Sequence, residues 1–254
     1  MKVRILGCGT STGVPRIGNE WGACDPEEPR NARLRTSIFV ESAGERMLVD
    51  CGPDLRQQLL ASGVGQVCGV IVTHAHGDHC HGIDDLRPVS QAIGGPVPLY
   101  ARPDVLAELR LRFAYAFEPS DFYRPIVVAR ELGPAVEFGQ CTISFADQPH
   151  GGSTSLGLRF DEPGHSIGYA IDFNALNDEM IALYQGVDVW IADCLTRNPH
   201  PTHMHLEGVL RAARDLRVGQ LYLVHMGNGL DYHTLMAEMP DWAEPAYDGF
   251  EFSS

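Results

Sequence analysis

The chain has 254 residues, of which 44% are hydrophobic and 20% charged, and a formal net charge of −14. That composition is ordinary for a soluble globular protein with a core large enough to need no staples. A surface this acidic repels polyanions and disfavours a broad electrostatic grip on duplex DNA or a long RNA; a small anionic substrate held by metal ions stays open, as does an acidic surface serving solubility alone.

Met1 to Leu6 is too short an apolar run for a signal peptide, and charge interrupts it. Seven scattered cysteines (Cys8, Cys24, Cys51, Cys68, Cys80, Cys141 and Cys194) include no CxxC pair, which points to a reduced, cytoplasmic protein. No apolar run reaches the roughly 18 residues of a membrane helix. With no repeat or low-complexity linker, residues 1–254 read as a single domain.

Strand-like runs with β-branched content and Gly, Pro or Asp boundaries cover 3–6, 36–40, 47–49, 67–72 and 97–100. Further runs follow at 142–145, 155–160, 167–171, 187–192 and 220–224. Apolar residues spaced three or four apart predict helices over 53–61, 104–113, 174–183 and 206–216. Asp172 and Asn174 stand where the third of these needs a cap. The order predicts a layered α/β fold built on two strand groups. Phe113 to Pro125 breaks the periodicity, as a lid near a site or a surface connection would.

The densest chemical signal follows the strand at 67–72. His74, His76, Asp78 and His79 crowd one turn, with Gly77 supplying backbone freedom. Imidazole nitrogens and a carboxylate are a metal-binding donor set. His74 and His76 alternate and can serve one ion; Asp78 and His79 can serve a second.

This HxHxDH spacing resembles the metallo-β-lactamase superfamily of hydrolases. The resemblance implies an αββα sandwich: two facing mixed β-sheets with helices on the outer faces. It implies further ligands at His150, Asp172 and His225, each ending a later strand. His74, His76 and His150 would hold one ion, Asp78, His79 and His225 the other, and Asp172 would bridge them. The donors suit Zn²⁺, Mn²⁺ or Fe.

Leu6-Gly7-Cys8-Gly9-Thr10-Ser11-Thr12-Gly13-Val14-Pro15 looks like the opening of the phosphodiesterase branch, which includes ribonuclease Z and phosphoribosyl cyclic phosphodiesterase. Physically it is a strand entering a Gly- and hydroxyl-rich loop, suited to close approach to a ligand or to a tight structural turn. Gly82 to Arg87 is similar to the small phosphodiesterases; Asp84 or Asp85 would cap a helix there or orient a metal-bound imidazole. His203 matches the family histidine that protonates the leaving oxygen, with His205 the alternative and a helix-capping role open to Thr202 or His203. Asp78 would also orient the proton of the attacking hydroxide. His81, His165, His200 and His233 are expected to be non-catalytic; Arg35 and Ser37 would meet a phosphate or form a solvated strand edge.

One departure stands out. The cyclic phosphodiesterases carry a Cys-rich structural zinc cluster after this loop, whereas Cys24 stands alone here, so no structural zinc is expected. The resemblance implies hydrolysis of a small phosphodiester, such as a ribose cyclic phosphate or cyclic nucleotide, by a hydroxide shared between two divalent ions. Processing of tRNA 3′ ends, hydrolysis of a thioester or lactone, and a non-catalytic binding role are the competing readings. No duplex nucleic acid or membrane partner is expected; the resemblance allows a homodimer.

Overall fold

The computed structural model describes residues 1–253. β1 (Lys2–Gly7) pairs antiparallel with β2 (Ser37–Ser42), which turns into β3 (Glu45–Val49). Ala43 and Gly44 form that turn with φ of 50° and 85°, the paired positive values that match the twist of a two-residue hairpin. After α1 (Leu55–Ser62), β4 (Gly69–Ile71) joins β3 in parallel. α2 (Gly77–Cys80) and α3 (Leu86–Ile93) lead to β5 (Val97–Ala101). α4 (Pro103–Arg112) and α5 (Ala114–Phe117) lead to β6 (Val127–Glu131), again parallel.

The second half repeats the scheme. β7 (Val136–Phe138), β8 (Cys141–His150), β9 (Ser153–Glu162) and β10 (His165–Ala170) form an antiparallel meander. β11 (Val189–Asp193), β12 (Gln220–Val224) and β13 (Ala243–Pro245) extend it in parallel, linked by α6 (Asp178–Tyr184), α7 (Leu206–Leu216) and α8 (Tyr232–Glu238). β14 (Glu251–Ser253) crosses back to pair with β1. The result is two seven-stranded sheets, ordered β14-β1-β2-β3-β4-β5-β6 and β13-β12-β11-β10-β9-β8-β7. The expected αββα architecture is the observed one.

Period-two side-chain alternation divides the first sheet between two cores. Val3, Ile5, Ile38, Val40, Met47 and Val49 join the second sheet's Ile143, Leu158 and Phe160 in one cluster. Phe39, Leu48 and Val70 face the other way, against Leu55 and Leu59 of α1 and Leu106 and Leu109 of α4. α7 buries Leu206, Val209, Ala213 and Leu216, a stripe at helical spacing.

The predicted helix over 174–183 starts later, at Asp178. Asn177 is its cap, accepting from the Met180 N–H at 2.8 Å, while the Asn174 side chain donates through Nδ2 to the Pro201 carbonyl at 2.6 Å. Asp172 does not cap it. Neither Thr202 nor His203 caps α7; His205 stands at that position without a side-chain bond. A short 3-10 turn at Ile83–Asp85 precedes α3, and neither Asp84 nor Asp85 makes a capping bond.

Candidate metal centre

Three of the strand ends gathered at the site are followed by a left-handed residue. Asp50 (φ 61°) follows β3, Asp172 (φ 53°) follows β10 by two residues, and His225 (φ 57°) follows β12. Such backbone is uncommon outside glycine and gathers where function holds it in place. Asp50 organises the HxHxDH segment. Its Oδ1 accepts from the Thr73 N–H at 2.8 Å and its Oδ2 from the Thr73 hydroxyl at 3.0 Å, fixing the chain as it leaves β4. Oδ2 also accepts from His79 Nδ1 at 2.8 Å, which turns His79 Nε2 toward the site.

Asp172 divides its two oxygens. Oδ2 lies 3.3 Å from His74 Nε2 and 3.3 Å from His150 Nε2. Oδ1 lies 3.1 Å from His225 Nε2 and 3.6 Å from His79 Nε2. Asp78 Oδ2 completes the second side, 3.0 Å from His79 Nε2 and 3.5 Å from His225 Nε2. The structure thus gathers His74, His76, His150 and Asp172 in one group and Asp78, His79 and His225 in another, with ligand atoms within 4.8 Å of one another in each. The donor set fits cations. His79 Nε2, His225 Nε2 and Asp172 Oδ1 are buried with no hydrogen-bond partner, though burying a polar atom unpaired is costly.

A β-lactamase superfamily domain model matches residues 45–226, which span every one of these ligands. The chain belongs to the metallo-β-lactamase superfamily. Within it the relatives fall in the phosphodiesterase branch. A crystal structure of a new diphosphatase from the PhnP family superposes with a TM-score of 0.89 at 31% identity, covering 99% of this chain and 97% of that one. An octanoyltransferase of Porphyromonas gingivalis is 30% identical over 99% of this chain, and a ribonuclease Z of Bradyrhizobium diazoefficiens is 33% identical over 53%. The chain spans about half the length of these two curated relatives, 51% and 46%.

The superfamily site is electrostatically tense. Burial pushes His74 down to about 4. Burial also opposes charge on His225, yet Asp172, Asp78 and Asp193 outweigh it and raise this group to about 9. The sequence reading missed Asp50 and Asp193. Asp193 ends β11 fully buried; its Oδ2 accepts from His203 Nδ1 at 2.8 Å and its Oδ1 sits 3.7 Å from His225 Nδ1. Burial pushes the Asp193 carboxyl up, and His203 and His225 pull against that rise. The His203 ring stacks on His225 at 5.0 Å and meets His150 at 4.9 Å.

A cavity of about 430 Å³ opens over the centre, lined by Ser11, His76, Asp78, His150, Ser153, Thr202 and His203 among others. His205 is not in its wall; that ring lies against Gly208 of α7. Ser11 brings the N-terminal loop to the rim. The same loop is a packed seam: Gly9 bridges both Arg35 and Met226, and a Cβ there would lie 2.9 Å from the carbonyls of Arg33 and Leu34. Arg35 is not free to meet a phosphate, because it grips Asp54 at 2.9 and 3.1 Å and donates to the Ser11 carbonyl. Ser37 is buried, not a solvated edge. Asp84 accepts from the Tyr115 hydroxyl, so Asp50 rather than Asp84 or Asp85 orients an imidazole. Cys24 lies buried beside Arg33, whose Nη1 is 3.9 Å from its sulfur.

Proposed function

We propose that the chain is a dinuclear metal-dependent hydrolase of small phosphodiesters, with ribose cyclic phosphates or cyclic nucleotides as substrates. The split of Asp172, one oxygen toward each histidine group, carries this reading. His74, His76, His150 and Asp172 would hold one ion, and Asp78, His79, His225 and Asp172 the other; Zn²⁺ and Mn²⁺ suit these donors. When bound, two such ions supply Lewis acidity and lower the pKa of water to about 7.

The protein's own part concerns the leaving group. Asp193 accepts a hydrogen bond from the Nδ1–H of His203, so the opposite nitrogen of the ring serves the cavity. As hydroxide adds to phosphorus and the P–O ester bond breaks, a protonated His203 hands its Nε2 proton to the departing oxygen, which leaves as an alcohol; the proton released when water forms that hydroxide restores the ring for the next turnover. The products are an alcohol and a phosphomonoester, or one molecule carrying both from a cyclic substrate.

The similarity to a diphosphatase favours a second reading, in which the bond cleaved is the phosphoanhydride of a diphosphate and the leaving group is a phosphate. One screen of the Mn²⁺- and Zn²⁺-loaded protein separates the two. Cyclic phosphates turning over faster than dinucleotide diphosphates supports the first reading, and the reverse order the second. Cleavage of a tRNA precursor, or of a thioester or lactone with no phosphodiester cleaved, would overturn both. The net charge of −14 weighs against tRNA.

A further inference from the structure

The segment from Arg112 to Tyr115 does not line the cavity, yet it touches the His74 to His79 segment once and the stretch just after it twice. Arg112, the last residue of α4, donates through Nη1 to the Ala75 carbonyl. The Phe113 ring meets His81 edge-on at 5.6 Å, and the Tyr115 hydroxyl donates to Asp84. Ala116 and Phe117 of α5 are buried, which anchors the segment.

Ala75 is the single residue between His74 and His76. Asp50 fixes the start of this irregular stretch through Thr73. Downstream, Cys80 Sγ donates to the carbonyls of His76 at 3.1 Å and Ala75 at 3.6 Å. A thiol is a weak donor, so the guanidinium is the strong tether on the peptide joining the two imidazoles. Glu108, one turn earlier on α4, holds the other Arg112 nitrogen. A cation also suits the C-terminal end of a helix.

We infer that Arg112 is a positioning residue, setting the mutual orientation of His74 and His76 through the Ala75 carbonyl. Arg112 lies neither in the cavity wall nor in the candidate ligand groups. Arginine suits the task because its planar fork serves Glu108 and Ala75 together; lysine offers a point charge.

The inference rests on the metal reading, so Co²⁺ binding by the wild-type protein is measured first, by its ligand-field absorption. Arg112→Met and Arg112→Gln are then compared with it for the Co²⁺ spectrum, for metal retention against a chelator, and for kcat and KM on bis-p-nitrophenyl phosphate. The expected result is an altered spectrum, retention weakened about 10–100-fold, and a lower kcat with KM nearly unchanged. Arg112→Lys should recover part of each. Wild-type spectrum, retention and kcat in whichever of Arg112→Met and Arg112→Gln folds would overturn the role of Arg112 alone. A wild-type protein that binds no Co²⁺ would overturn the metal reading and this inference together.

Discussion

The two sheets place the same device to different ends. In the first, Asp50 follows β3 at φ 61°, and the Ser37 hydroxyl of β2 reaches the carbonyls of Val49 and Asp50, both at 3.0 Å. In the second, Asp172 follows β10 at φ 53°, and the Ser155 hydroxyl of β9 reaches the carbonyls of Ile171 and Asp172 at 3.0 and 2.8 Å. Each aspartate lies just past the strand where antiparallel pairing gives way to parallel. Asp172 meets four imidazoles, while Asp50 meets one imidazole and the Thr73 backbone. Equivalent backbone positions thus give a group placed to hold ions and a group that aims another ligand. The side chain's neighbours, rather than the turn itself, decide which.

Asp172→Asn is the strongest test of that division. It is expected to abolish detectable phosphodiesterase turnover and to lower the number of ions retained, as measured by metal analysis; full metal content and activity would break the comparison. Next comes the Asp193 and His203 pair, the second sheet's addition. His203→Ala should lower kcat on an unactivated diester about 10²–10⁴-fold, and much less on a p-nitrophenyl ester, whose leaving group needs no proton. Equal losses on both substrates would argue for a structural His203. Asp50→Asn should keep the fold and lower metal affinity about 10–100-fold, read by competition with a chelator.

The smallest expected effect sharpens the comparison from outside. Asp248 is half-buried at the wall of a second cavity, and its carboxylate accepts from the N–H groups of Cys8 at 3.0 Å and Leu34 at 2.7 Å. Burial raises it to about 7, against those two hydrogen bonds. Its folded form therefore holds a proton that the unfolded chain has lost between about pH 4 and 7. Stability falls across that window as pH rises, by up to about 1.4 kcal/mol per unit. Asp248→Asn should flatten this part of a stability-versus-pH curve from chemical denaturation; an unchanged slope would assign it to another group.

His74, His76, Asp78 and His79 were legible because four ligands share one turn. His150, Asp172 and His225 were legible only in family order, since one His or Asp after a strand says little alone. Asp50 and Asp193 escaped because their meaning is tertiary. The imidazole that Asp50 orients is 29 residues away, and the sequence around it reads as a turn. Among the strands, β6, β7, β13 and β14 left no recognised signal. They are three to five residues long, and their pairing is set by neighbours far along the chain. α6 starts at Asp178, four residues after its apolar spacing predicts, because the capping acceptor is Asn177 rather than Asp172 or Asn174, a choice among three candidate caps that the local pattern does not display.

The double bridge of Gly9 bears on motion as well as shape. The Gly9 amide bonds the Leu34 carbonyl at 2.7 Å, on the side of the first sheet, and the Thr10 amide bonds the Met226 carbonyl at 3.2 Å, beside His225. Both residues are buried although they lie outside any long strand. Their amide protons are tied one to each side of the seam between the sheets. Slow hydrogen exchange at both, alongside the core strands, is the expected outcome, and fast exchange would show that the loop opens ahead of the fold.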